Sequence, residues 1–234
     1  MDTVYHSLVF EYLIHNCYKN TARALLKEKN ELENFHVRTS YVNKIQFMAK
    51  TEIDDDHTWT LLDARKSIIA AIETGDINLA FALIKKSFPT IAVHNLIPNG
   101  VPPPNDNEAI KIHNILFQLK CQQFIEIIRT STVQQALRYA QVNLRPTNAT
   151  TTKLVEEVTT LIAYTDPYQS QVGHLLAQDR RSQLATEVNH ILLAHCNLPI
   201  QTSIERLSRQ MLLVEEELAK EDESSIDIRE KMSI

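Results

Sequence analysis

The sequence predicts an all-α protein, and three observations carry that expectation. Glycine is scarce, apolar residues recur at three- and four-residue spacing, and helix-start signals stand where those stretches begin. Only Gly75, Gly100 and Gly173 occur among 234 residues, against a usual content of about 7%. Hairpins, bulges and phosphate loops draw on glycine, so its scarcity favours helices joined by short polar turns. It also removes function classes: no two glycines lie close enough for G-x-G-x-x-G, a P-loop or G-x-S-x-G. With 44% hydrophobic residues, the chain has material for a sizeable core in one or two domains.

The segment from Leu8 to Leu26 reads as two short amphipathic helices. Val4, Leu8, Val9, Tyr12 and Leu13 share one stripe, and Ala22, Leu25 and Leu26 form another. Two such helices hold too few apolar side chains to close a core alone, so the stripe needs a partner surface. Tyr41, Val42, Ile45 and Met48 are spaced for one more helix, and Asp54-Asp55-Asp56 reads as a hinge. The next helix carries Leu61, Leu62, Ile68, Ile69 and Ile72 and stops at Thr74-Gly75-Asp76. There Gly75 suits a left-handed position just past a helix end. Asp76 suits the N-cap of a helix containing Ile77, Ala80, Phe81 and Ile84.

The stretch from Ile97 to Asn107 holds four prolines and reads as a surface loop. From Glu108 to Arg129 the chain is apolar on nearly every face, as expected of a helix in the middle of a bundle. Ser131-Thr132-Val133-Gln134 reads as a capping box opening a helix that turns Val133, Ala136, Leu137, Ala140 and Leu144 inward. Helices follow at roughly 152–164 and 179–195, the second capped by Asp179. The last begins with the capping box Thr202-Ser203-Ile204-Glu205 and carries the stripe Ile204, Leu207, Met211, Val214, Leu218. Residues 220–234 are charged, lack an apolar face and are expected to be disordered. A faint repeat aligns 65–84 with 121–140, matching Ile69 to Ile125, Ile72 to Ile128, Thr74 to Thr130 and Ala80 to Ala136. Stacked helical hairpins would produce it.

The composition narrows the chemistry. A net charge of −5 argues against a general nucleic-acid binder, which presents a basic face. Cys17, Cys121 and Cys196 are odd in number and far apart, as expected of reduced intracellular thiols. The start, Met1-Asp2, does not resemble a signal peptide, and no run approaches the roughly 18 apolar residues that span a bilayer. Nine histidines occur, but no two stand at i, i+4 with a carboxylate nearby, so no metal site is expected. Cys196 beside His195 could be read as a ligase cysteine, since a neighbouring histidine lowers a thiol's pKa. Nothing else in the chain supplies an acid–base partner, and a buried thiol ending a helix is the default.

Several motifs resemble known modules. The opening pair, with Glu11-Tyr12-Leu13 and then Tyr18 before Thr21-Ala22, resembles a LisH motif, a small dimerising helical module. Ala64 to Phe88-Pro89, with Ile72-Glu73-Thr74-Gly75-Asp76-Ile77 at its turn, resembles a CTLH domain. Phe117 to Arg129 resembles the junction of CTLH with CRA. Residues 136–141, 161–167, 173–176 and 180–189 continue the likeness, and 204–210 resemble the closing helix of RanBPM-type members. This order divides the chain into a LisH motif at 4–36, a connecting helix and acidic linker at 37–60, and a CTLH domain at 61–128 with its Pro-rich loop at 97–107. A CRA domain at 129–219 and the tail at 220–234 follow.

The resemblance implies a non-catalytic scaffold subunit of a GID/CTLH-type E3 ubiquitin ligase, cytoplasmic and nuclear, which assembles subunits for proteasomal degradation. It implies self-association through LisH and contacts with other LisH-CTLH-CRA subunits, with no cofactor, metal, nucleic acid or membrane. The alternative is an adaptor in another LisH-mediated assembly, cytoskeletal or Ran-linked. The implied interface residues are Leu8, Val9, Tyr12, Leu13, Tyr18, Ala22 and Leu25, with Ile204, Leu207, Met211, Val214 and Leu218. The competing use of both stripes is packing within the chain itself. Two departures stand out. RanBPM-type members carry a SPRY domain ahead of LisH and this chain has no room for one, so it is expected to be either truncated or a short subunit. Cys17 also stands where the motif's turn usually has glycine, and a left-handed turn would be strained there and easier at Asn16.

Overall fold

The computed structural model describes residues 2–36, 56–96 and 106–231, and every regular element among them is helical. In chain order these are α1 (Asp2–His15), α2 (Lys19–His36), α3 (Asp56–Thr74), α4 (Ile77–Ser87) and α5 (Pro89–Val93). They continue as α6 (Asn107–Thr130), α7 (Val133–Asn143), α8 (Ala149–Thr159), α9 (Gln178–His195) and α10 (Ser203–Lys231). The helix expected around 41–48 and most of the Pro-rich loop lie outside the described residues.

The helices gather into two compact units: α3 to α9 form one, and α1, α2 and α10 form the other. This grouping cuts across the divisions expected from the motifs. The boundary at 60/61 falls inside α3, that at 128/129 falls inside α6, and the last helix joins α1 and α2.

In the α3–α9 unit, α6 runs between two cores, as its all-round apolar character requires. Ile112, Leu116 and Leu119 belong to a cluster with Ile68 and Ile72 of α3, Ile77 and Ile84 of α4, and Val188 and Leu192 of α9. Phe117, Cys121, Phe124 and Ile125 belong to a second cluster with Ala136, Leu144, Val158, Leu161, Leu175 and Leu176. The gap lined by Ile84, Ile91, Ile112, Leu116, Val188 and Leu192 measures about 10 Å³. That is about the limit for a single water, so packing there is closed.

The caps decide where the helices of this unit start. Gly75 takes φ 84° and donates its N–H to Ile72 O, while the Asp76 carboxylate accepts the Leu79 N–H at 3.0 Å. Both match the sequence expectation. Three others differ. Thr132, not Ser131, caps α7, accepting from the Gln135 N–H. Asn148 opens α8 with Thr151 in a reciprocal capping box, three residues before the expected start. Ala177 precedes α9 with no side-chain cap, leaving Asp179 in the first turn, where its charge still favours the helix N-terminus.

One inward face is also corrected. Val133 and Leu137 are exposed, and α7 seats on Ala136 with Tyr139 and Ala140 partly buried. The Tyr139 hydroxyl, donating to Gln123 Oε1 at 3.0 Å, turns that face inward. Val133 and Leu137 sit to one side of it on the helix circumference.

In the other unit, α10 does not end where its apolar stripe ends. It continues to Lys231, where residues from 220 were expected to be disordered. No glycine or proline occurs after Pro199, and the segment is rich in residues of high helix propensity. Lys220 also donates to Glu217 at 2.7 Å, one turn back.

Candidate protein-interaction site

The α1–α2 turn sets which face of α1 looks outward. The Asn16 N–H bonds Tyr12 O at 3.0 Å and the Tyr18 N–H bonds Leu13 O at 2.8 Å. Cys17 between them takes φ 60°, the left-handed conformation that glycine usually supplies. The turn therefore keeps its geometry at Cys17 itself, not at Asn16, and buries the thiol-bearing side chain. Phe10, Leu13, Ile14, Cys17 and Ala22 are buried. Leu13 and Ala22 are thus core residues of the unit, while Leu8 and Leu25 are half-buried. Val4, Tyr5, Val9, Tyr12 and Tyr18 face outward. Tyr12 and Tyr18 lie with ring centroids 6.5 Å apart.

The start of α10 is anchored beside α1. The Glu11 carboxylate accepts the Ser203 N–H at 3.0 Å, and His15 Nε2 lies 2.9 Å from Ile200 O. The expected capping box is complete: the Thr202 hydroxyl accepts the Glu205 N–H at 3.2 Å, and the Glu205 carboxylate accepts the Thr202 N–H at 3.0 Å. Thr202 is fully buried. Replacing it with alanine lowers stability by about 1 kcal/mol, read as a lower thermal midpoint with an unchanged fold.

Beyond this anchor Ile204 is half-buried, and then the helix emerges. Leu207, Met211, Leu212, Leu213, Val214 and Leu218 are between 53% and 63% exposed. Of the twelve residues expected at an interface, Val9, Tyr12, Tyr18, Leu207, Met211, Val214 and Leu218 are exposed. Leu212 and Leu213 were missed because they stand off the three-four stripe. A run of four consecutive apolar residues was the available signal.

A polar cluster in the α3–α9 unit also escaped the sequence reading. Glu126, on the otherwise apolar α6, accepts from Arg181 Nε at 2.8 Å and from Arg181 Nη2, and from Gln122 Nε2 at 2.7 Å. Arg181 also donates to Gln178, and Arg180 to Gln122. Buried Arg65 of α3 donates to Asn189 of α9 at 3.1 Å. These bonds cross-link the bundle.

Burial governs the two described thiols of the α3–α9 unit. Burial pushes the Cys121 thiol up to about 12. Burial also raises Cys196, with Arg65 opposing in part, so its thiolate is disfavoured despite the neighbouring histidine. Among the described residues no group of three or more His, Cys, Asp or Glu side chains is placed to hold a metal ion. No described helix is long and apolar enough to cross a membrane.

His113 is held below the ordinary histidine value of 6.5, first by burial and then by Lys120 and His94. Its neutral form is favoured in the folded state, so the unfolded chain binds the proton more readily. Stability from this group is present above about pH 6.5 and falls as the pH drops below it. The thermal midpoint therefore drops less between pH 7 and 5 in His113→Gln than in the wild type.

The family model for the CTLH/CRA C-terminal to LisH motif domain matches residues 61–219. The chain belongs to this family. The match runs from α3 through the exposed stripe of α10, and the segment expected to be LisH lies ahead of it. Over 219 residues the chain is 26% identical to the Ran-binding protein M homolog of Arabidopsis thaliana, covering 88% of this chain and 41% of that protein. It is 25% identical over 160 residues to the Glucose-induced degradation protein 8 homolog of Nematostella vectensis, covering 67% of this chain and 64% of that protein. The protein of the same name from Dictyostelium discoideum is 24% identical over 173 residues, with 70% and 68% covered. The chain thus spans less than two thirds of the first two relatives.

Proposed function

We propose that this chain is a non-catalytic scaffold subunit of a GID/CTLH-type E3 ubiquitin ligase, joining subunits for protein degradation in cytoplasm and nucleus. One observation carries the reading: the α1–α2–α10 unit leaves two apolar faces uncovered, Val4 to Tyr18 on α1 and its turn, and Leu207 to Leu218 on α10. Contiguous exposed apolar surface of this kind marks a protein-binding site, and a scaffold needs such surfaces more than a cleft. The names of the two Glucose-induced degradation protein 8 homologs support a role in degradation. The segment at 4–36 acts as the LisH module, associating with a second copy and with other LisH-CTLH-CRA subunits, without nucleic acid, membrane, metal or cofactor.

The test is affinity purification of the tagged full chain under native conditions, with the bound proteins identified and assayed for ubiquitin transfer. CTLH/CRA-family chains and a RING-bearing subunit are expected in near-stoichiometric amounts, with transfer activity that this chain alone lacks. A second reading is an adaptor in another LisH-mediated assembly, Ran-linked or cytoskeletal, and the plant relative's name favours the Ran-linked form. Recovery of Ran or cytoskeletal proteins without a RING subunit would select it. A reducible ubiquitin adduct on Cys196 would contradict both.

A further inference from the structure

We propose that Thr132, at the joint between α6 and α7, is a phosphorylation site for an arginine-directed serine/threonine protein kinase. Arg129 stands three residues before it, and no other arginine in the chain has a serine or threonine three residues on. Val133, the next residue, is apolar and exposed. A cation ahead of the acceptor hydroxyl and an apolar side chain just behind it form the kind of charge pattern by which kinases choose substrates.

The joint presents that pattern to an enzyme. Only Ser131 and Thr132 separate Thr130, the last residue of α6, from Val133, the first of α7. Both are exposed and extended, Ser131 at φ −136°, ψ −170° and Thr132 at φ −86°, ψ 152°. To lay residues 129–133 along a groove, only the last turn of α6 and the first residue of α7 must loosen, and helix ends fray. The three neighbouring hydroxyls are not equivalent. Thr130 donates to Glu126 O at 2.8 Å, inside its own helix. Thr132 accepts the Gln135 N–H at a long 3.4 Å, so its oxygen is lightly held.

Arg129 is loosely committed to the bundle. Arg181 bonds both carboxylate oxygens of Glu126, and Arg129 Nη1 stands 3.7 Å from one of them. That nitrogen is buried and makes no hydrogen bond among the described residues. A buried donor without an acceptor is unfavourable, so turning this guanidinium onto an outside acid costs the fold little. Two guanidiniums around one carboxylate also leave this corner with surplus positive charge.

The step transfers the γ-phosphoryl group of ATP. Thr132 Oγ1 bonds to the γ-phosphorus as the bond from that phosphorus to the β,γ-bridging oxygen breaks. ADP leaves, and the hydroxyl proton passes to the catalytic aspartate of the kinase. The phosphate then stands at the N-cap of the 11-residue α7. There the first-turn N–H groups and the helix dipole favour a dianion, and Arg129 supplies a counter-charge nearby. Phosphorylation thus tightens the first turn of α7.

The test incubates the full chain with ATP and a calcium/calmodulin-dependent protein kinase, a class that requires arginine three residues before the acceptor. Mass spectrometry is expected to find one phosphate per chain, on Thr132. Thr132→Val abolishes incorporation, while Thr132→Ser, which keeps a capping hydroxyl, retains it. Arg129→Gln slows it at least tenfold. Arg129→Lys, which keeps the charge beside Glu126, slows it severalfold and gives the same reading should the glutamine variant unfold by circular dichroism. Amide hydrogen exchange at 133–136 is expected to slow in the phosphorylated chain. No incorporation, incorporation elsewhere with Thr132 unmodified, an unchanged rate in the Arg129 variants, or unslowed exchange at 133–136 overturns the proposal.

Discussion

Replacing Glu126 with alanine in the full chain is expected to destabilise the α3–α9 bundle by about 3 kcal/mol, because it strands a largely buried guanidinium. For a chain of this size that is a fall of roughly 6–12 °C in thermal midpoint. The Arg181 side chain is only 13% exposed, and Glu126 supplies the acceptors for its Nε and Nη2. Gly75→Ala acts on the same pair from the other side. A Cβ on Gly75 would stand 2.6 Å from Arg181 Nη2, and φ 84° is a conformation that alanine strains to hold. The strain alone costs about 1–2 kcal/mol, and displacing the guanidinium adds to it. Since both changes break one contact, the double variant loses less than the sum of the singles. Urea unfolding of the four proteins checks this, and strictly additive losses would show that Gly75 and the Arg181–Glu126 pair are independent.

The second large effect is on association, not on folding. Met211→Asp with Leu213→Asp weakens binding of the α10 face by a hundredfold or more while leaving the thermal midpoint of the bundle unchanged. Both side chains are over half exposed, so a charge there costs the free chain little. Burying a leucine or methionine side chain is worth about 1.5–3 kcal/mol, and two lost contacts at the centre of an interface exceed the 2.7 kcal/mol or so of a hundredfold change. A variant that associates normally would place the contact elsewhere on the unit.

The helices were legible in the sequence wherever a local signal was strong. Gly75-Asp76 and the Thr202–Glu205 box specified their turns because capping is settled within four residues. The role of α6 followed from apolar residues on all its faces. What periodicity could not decide is which of two apolar faces a helix buries. On α1 the stripe read as an interface held Leu13, which is core. Phe10 and Ile14 complete the buried side. On α7 the hydroxyl of Tyr139 turned the helix so that Val133 and Leu137 face water. The grouping of α10 with α1 and α2 was likewise hidden, because contacts between residues about 190 positions apart, such as Glu11 with Ser203, leave no local pattern. Glu126 was obscured by its apolar neighbours, and only its pairing with Arg181, 55 residues away, shows its purpose.

The most direct test of the account is the solution mass of the wild-type chain across a micromolar dilution series, measured beside a Val9→Asp, Tyr12→Asp, Leu213→Asp variant. The outward faces of α1 and α10 predict a wild type of at least twice the chain mass and a variant that is a folded monomer. Two folded monomers, or two proteins of the same higher mass, would contradict the claim that these faces hold subunits together.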